Sequence, residues 1–234
     1  MSPPLIGILA GMGPRSTAPF VDLVIDECQR QYGASDDEEF PPMMVYALPA
    51  PFYLDRPIDH GALRAAIGAG LRKLASTGVA FVAMPCNTAH IYYDDLAASI
   101  DIPLLNMVDE ALRAMPVSAS RIALLATRPT VEAGIYQAAL TRARLELAPP
   151  DDRQGQVDRL IAAIKSSPDR REAERLWRAL LAELAADGVD MALLACTDLN
   201  AVSAASPRGI TLLDATQCLA AATVREWRRR IGSG

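Results

Sequence analysis

The chain alternates short aliphatic runs with longer stretches of helical periodicity. The runs are LIGIL (5–9), MMVYAL (43–48), VAFVAM (79–84), PLLN (103–106), RIALLA (121–126), RLELA (144–148), VDMALL (189–194) and ITLLD (210–214), each of strand length and bounded by turn-forming residues. Between them, Leu63, Ile67, Leu71 and Leu74 recur at helix spacing, as do Leu176, Leu180 and Leu184, which predicts helices with one apolar face. Gly78 and Gly188 follow these two helices and suit the left-handed turn that ends a helix. Strands that alternate with helices predict parallel sheets covered on both faces. In such sheets ligands sit beyond the carboxyl ends of the strands, so residues just after a strand are the candidates for function.

The pattern repeats. GVAFVAMPCNT (78–88) aligns with GVDMALLACTD (188–198) at an offset of 110, which places Cys86 on Cys196. IPLLN (102–106) aligns with ITLLD (210–214) at 108, and LIGILAG near the start matches RIALLAT at an offset near 116. Ordered correspondences at nearly one offset predict a duplication. The expected architecture is two pseudo-symmetric parallel-sheet α/β domains with a cleft between them, the first built from 1–112 plus 208–234 and carrying Cys86, the second from 113–207 and carrying Cys196. Two stretches rich in proline and turn formers, 33–42 and 47–57, read as loops, the second long enough for a lid or substrate loop.

Composition narrows the chemistry. With 234 residues, 51% hydrophobic, the chain can bury a sizeable core. The start MSPPLIGILAG has no basic leader and too short an apolar run for a signal peptide or membrane span, so a cytoplasmic location with reduced thiols is expected. Cys28, Cys86, Cys196 and Cys218 are widely spaced and joined by only two histidines, His60 and His90, which fits no metal pattern. A net charge of −5 with interspersed signs leaves only Arg228, Arg229 and Arg230 as a basic run, so nucleic acid is not an expected partner.

Two thiols on opposite sides of one bound molecule suit inversion at a carbon that carries a hydrogen. One sulfur removes the proton from one face and the other supplies a proton to the opposite face. Both cysteines fall between a strand and an expected helix start, where backbone N–H groups favour the thiolate and can hold a carboxylate, and where Asn87, Thr88, Thr197 and Asp198 are capping types. The turn Gly11-Met12-Gly13 lacks the third glycine of a dinucleotide loop and reads as a tight turn that lets backbone approach a substrate carboxylate. Cys28 and Cys218 lie in helical patterns and read as core residues. His90, four residues past Cys86, is a candidate to polarise the site, whereas His60 reads as a helix-start or surface residue.

These motifs together resemble the cofactor-independent aspartate/glutamate racemase family, on the aspartate racemase side. IGILAGMGP is similar to its glycine-rich opening, MPCNTAH to its first cysteine motif, LATRPTVEAGIYQ to its middle motif and LLACTDL to its second cysteine motif. The resemblance implies catalytic Cys86 and Cys196, with Cys196 deprotonating the L-isomer and Cys86 the D-isomer. It also implies no cofactor, a small amino-acid substrate and commonly a homodimer. Met12, Asn87, Thr88, Thr127 and Thr197 become substrate-binding candidates. Asp55-Arg56 resembles a substrate-reading pair, and Lys165 a lysine that reaches the substrate carboxylate. Where the family usually reads Gly-Cys-Thr-Glu, this chain reads Ala195-Cys196-Thr197-Asp198, and its 47–57 loop is more apolar, so the substrate stays open. Racemisation of an acidic amino acid, aspartate first, is the leading expectation. The alternatives are a broad-specificity amino-acid racemase, a hydantoin racemase, a maleate isomerase, a malonate decarboxylase, a binding protein that keeps the cleft, or a thiol redox protein.

Overall fold

The computed structural model describes residues 3–53, 56–148, 153–203 and 209–232. The chain divides into two compact units, Met1–Met107 with Thr216–Gly234, and Val108–Ala215. The first unit runs β1 (Ile6–Ala10), α1 (Thr17–Tyr32), β2 (Met43–Ala47), α2 (His60–Ala75), β3 (Phe81–Ala83) and α3 (Tyr93–Ala97), and α4 (Met107–Arg113) opens the crossing to the second. The second runs β4 (Arg121–Ala126), α5 (Arg128–Glu132), α6 (Ile135–Arg142), β5 (Glu146–Leu147), α7 (Arg153–Ser166), α8 (Arg171–Ala186), β6 (Met191–Ala195) and β7 (Thr211–Asp214). Helix α9 (Ala215–Ile231) then returns to the first unit, where Trp227 Nε1 donates to the Pro4 carbonyl at 3.0 Å.

Both sheets are parallel, in the orders β2-β1-β3 and β5-β4-β6-β7. The repeat read in the sequence is a repeat of strand register. Gly7 pairs with Val82 in the first sheet, and the residues at the repeat offsets, Ala123 and Ala192, pair in the second. Val82 bridges Leu104, and Ala192 pairs with Leu212. The first sheet therefore holds the start of a fourth strand, reduced to one bridge at Leu104, where the sequence predicts a full strand over 103–106. The run at 144–148 likewise yields only two paired residues.

One boundary differs from expectation. Residues 209–215, assigned from the sequence to the first domain with the C-terminal helix, fall in the second unit, because β7 is hydrogen-bonded to β6 along four residues. The first unit likewise ends at Met107, so 108–112 fall in the second.

The helices form for the reasons their sequences show. In α2 the stripe Leu63, Ile67, Leu71 and Leu74 is buried, and Asp59 caps the helix by accepting the Ala62 N–H at 2.9 Å, an interaction worth about 1 kcal/mol. In α8 the buried stripe is Ala173, Trp177, Leu180, Leu181 and Leu184, and Leu176 sits at its margin. Trp177, 1% exposed, is the largest side chain of that stripe. Gly78 at φ +83° and Gly188 at φ +71° take the left-handed turn that leads each helix toward its next strand. Strands β1 and β6 are buried along their whole length, as central strands of covered parallel sheets must be.

Candidate active site

In each unit the cysteine leaves the carboxyl end of the equivalent strand, Cys86 after β3 and Cys196 after β6. Beside it, on the neighbouring strand's carboxyl end, stand the other loop candidates: Met12 after β1, and Thr127 after β4. The turn at Met12 is built on Gly11, whose φ is +91° and whose absent Cβ would lie 2.5 Å from the Leu48 nitrogen. Only glycine fits there. Met12 packs against the core of the first unit together with Cys86. Thr127 sits at φ −62° before α5, with its hydroxyl 2.9 Å from that of Thr130.

The elements that follow the cysteines are not the α-helix starts the sequence suggests. They are five-residue 3-10 helices, Thr88–Tyr92 and Thr197–Ala201, entered through Asn87 and Cys196 without a side-chain cap bond. Poor hydrogen-bond geometry keeps such helices short, so little axial dipole acts on either thiol. Asn87, Thr88, Thr197, Asp198 and Cys196 are all less than a tenth exposed, whereas Cys86 is half-buried. The two thiols therefore have to be understood through their side-chain and backbone neighbours.

In the first unit the neighbour is a histidine that holds the loop. His90 is buried and stacks on Tyr93 with ring centres 5.8 Å apart. Its Nδ1 lies 2.8 Å from the Cys86 carbonyl and its Nε2 3.1 Å from the Met107 N–H. Nδ1–H donating to the carbonyl and Nε2 accepting the amide satisfy both contacts with a neutral ring. His90 thus braces the backbone of Cys86 to the start of α4. Pro85, which has no N–H, precedes Cys86, and the Cys86 amide turns back to the Met84 carbonyl at 2.8 Å. Below this loop Tyr92 Oη lies 2.7 Å from His60 Nδ1; His60 is exposed at the first position of α2, as its sequence context suggests, and its ring reaches a buried phenol. Burial pushes the Tyr92 phenol up, the nearby Arg64 opposes this, and Asp59 and the Cys86 sulfur add to it.

In the second unit the neighbours are charged. Cys196 Sγ lies 3.7 Å from Asp198 Oδ2, and the same oxygen is 2.9 Å from Lys165 Nζ. Lys165 projects from the last turn of α7, and the Asp198 side chain is 4% exposed. Lys165, which the resemblance implies reaches a substrate carboxylate, is paired with Asp198, a residue whose sequence context marks it only as a capping type. Its place two residues past Cys196 was the available signal. Arg56 is exposed with its guanidinium 4.4 Å from the Tyr53 ring centre, and Asp55 lies outside the described residues.

None of the four cysteines is joined in a disulfide. Cys28 and Cys218 are buried in helices, and burial pushes the Cys28 thiol up, which keeps it protonated and unreactive. Among the described residues no group of three or more His, Cys, Asp and Glu gathers closely enough to hold a metal ion, and no helix is long and apolar enough to cross a membrane.

A duplicated parallel sheet with a thiol after the third-position strand of each copy defines a class, and comparison with known proteins identifies it. Residues 9–223 match the Asp/Glu/hydantoin racemase family; the chain belongs to this family and is an amino-acid racemase, an isomerase. It is 46% identical to the broad specificity amino-acid racemase RacX of Bacillus subtilis (strain 168) over 94% of this chain and 96% of that one. Among solved structures it is similar to an aspartate racemase from Picrophilus torridus, with a TM-score of 0.81, 27% identity and coverage of 96% of this chain and 94% of that one. It shares the fold of an aspartate racemase homologue from Pyrococcus horikoshii OT3, with a TM-score of 0.76, 20% identity and coverage of 95% and 98%.

Proposed function

We propose that this chain racemises free amino acids without pyridoxal phosphate or metal, with Cys86 and Cys196 as the two proton-transfer groups and a substrate range that includes aspartate. The observation that carries the reading is the equivalence of the two cysteines: same strand, same register and same sheet end in both copies of the duplicated unit. A thiolate takes the α-proton, so a C–H bond breaks and an S–H bond forms while the electron pair stays on carbon. The other thiol then delivers its proton to the opposite face and becomes the thiolate. Each turnover leaves the two sulfurs with exchanged protonation, and the next substrate of opposite hand restores them.

In this reading Cys196 acts on the L-isomer and Cys86 on the D-isomer. Backbone N–H groups at Met12 and Asn87 and the hydroxyls of Thr88, Thr127 and Thr197 hold the carboxylate and stabilise the charge that develops on it. Arg56 and Lys165 are the candidate cations for the side chain of an acidic substrate in this reading. The relative named for broad specificity and the aspartate racemase among the similar structures support a range wider than one amino acid. A cytoplasmic setting keeps both sulfurs reduced, and assembly as a homodimer belongs to the same reading.

The direct test is proton NMR of single amino acids with the purified, cofactor-stripped protein in D2O. Loss of the α-proton signal accompanied by appearance of the opposite isomer is the expected result. Activity that disappears with chelator or hydroxylamine and returns with metal or pyridoxal phosphate would overturn the cofactor-independent mechanism. Sedimentation of the same sample reads the oligomeric state, and a monomer at working concentration would remove the dimer from the proposal.

A further inference from the structure

The lysine that reaches the loop of Cys196 is already answered inside the protein. Lys165 Nζ is 2.9 Å from Asp198 Oδ2 in a pair whose side chains are 19% and 4% exposed, and that same oxygen is 3.7 Å from the Cys196 sulfur. The local sum of these two charges is zero. A substrate carboxylate that approached Lys165 would have to displace a carboxylate held at hydrogen-bond distance and then lie beside it. One ion pair would be exchanged for another, and the displaced Asp198 would be left buried without its counter-ion. The second cation expected to read a carboxylate, Arg56, is stacked on Tyr53 in its own loop and open to water, where a pair contributes little.

We infer that the Lys165–Asp198 pair is the specificity determinant of this chain: by neutralising the cation beside Cys196, Asp198 removes the advantage of a side-chain carboxylate, so that neutral and acidic amino acids are accepted on similar terms. The inference rests on the racemase reading above and names its substrate class. It makes Asp198 and Lys165 a unit whose net charge, rather than the presence of lysine alone, sets the preference. Removing the carboxylate alone takes away the negative charge beside Lys165 in a poorly exposed site and creates a preference for dicarboxylates. Removing both charges leaves the preference where it was.

The test uses the full-length protein, Asp198→Asn, and Asp198→Asn combined with Lys165→Met. Binding of succinate and of butyrate, by calorimetry, reads the preference without turnover, so a loss of catalysis beside Cys196 does not obscure it. In parallel, kcat/KM for aspartate and for alanine is taken from chiral chromatography. The wild-type protein should bind the two acids within about threefold of each other, and Asp198→Asn should shift the ratio toward succinate by about tenfold or more, the equivalent of ~1.4 kcal/mol. The double variant should return to within about threefold of the wild-type ratio, and it should fold, because neutral replacement of a buried pair is commonly tolerated. A ratio unmoved by Asp198→Asn, or a double variant that loses a selectivity for aspartate present in the wild type, would overturn the inference. Absence of racemisation of any amino acid by the wild type would instead defeat the reading of the reaction, and the binding ratios would still decide the role of the pair.

Discussion

The two halves share strand order and pairing, yet they support their cysteines by different means. In the first unit, Cys86 follows a proline and is braced through its carbonyl by a neutral, fully engaged His90. In the second, Cys196 follows directly on β6 and its sulfur faces a carboxylate–ammonium pair. The residue at the repeat offset from His90 is Asn200, whose buried Oδ1 has no hydrogen-bond partner among the described residues. After duplication, the backbone pairings that place the sulfurs were kept, because a one-residue slip would turn each strand inside out. The side chains around the sulfurs were free to diverge. One thiol is held by geometry and the other faces charge.

The largest effect expected is on catalysis. Cys86→Ser and Cys196→Ser should each lower racemisation in both directions by roughly 10²–10⁴-fold, since a hydroxyl is a far weaker acid–base group at neutral pH. With Cys86→Ser, NMR in D2O should still show α-proton exchange of the L-isomer without inversion, and Cys196→Ser should show the same for the D-isomer. Full activity in either variant would break the equivalence of the halves.

Next comes the turn after the first strand. Gly11 (φ +91°) and its counterpart Thr127 (φ −62°) occupy one topological position with opposite backbone conformations. Gly11→Ala forces a Cβ onto the Leu48 backbone and should cost on the order of 3 kcal/mol or prevent folding, whereas Thr127→Gly should cost about 1 kcal/mol. Denaturant melts of both variants measure the contrast.

The brace is the third comparison. His90→Ala leaves the Met107 N–H and the Cys86 carbonyl without their partner and opens a void, so a loss of about 3 kcal/mol is expected, together with roughly a tenfold fall in kcat as the Cys86 loop loosens. Asn200→Ala should cost less than about 1 kcal/mol, because its acceptor is already unmatched. Equal losses would mean that the two loops are supported alike.

The smallest effect sits at the opposite sheet end. Asp190 accepts N–H bonds from Ser120 and Arg121 and a hydroxyl bond from Ser120, and these donors, the Ser120 hydroxyl first, hold its carboxyl below the ordinary range. The equivalent residue, Ala80, has no side-chain acceptor, and its amide donates to the Leu5 carbonyl. Because the folded-state value is depressed, the contribution is present above the ordinary carboxylate range and is lost as pH falls through the folded value. Asp190→Ala should therefore destabilise by about 1 kcal/mol near neutrality, a figure kept small by solvent screening, with the difference shrinking below about pH 4. A pH-independent difference would assign the loss to packing.

The sequence alone determined the alternation of elements, the apolar stripes, the two helix-ending glycines and the duplication with its paired cysteines. All of these are local patterns or self-comparisons, written in residue spacing. The fate of Leu104, a single bridge where a strand was expected, and the membership of β7 in the second unit depended on parallel pairing between segments about twenty residues apart, which spacing does not encode. The neutral state and bracing role of His90 required Met107, seventeen residues on, to arrive as a donor. The capture of Lys165 by Asp198 required α7 to pack over the loop that follows β6. A lysine and an aspartate in a sequence are two charges of opposite sign. Burial within hydrogen-bond reach of each other, beside a thiol, makes them one neutral group, and only the tertiary fold brings that about.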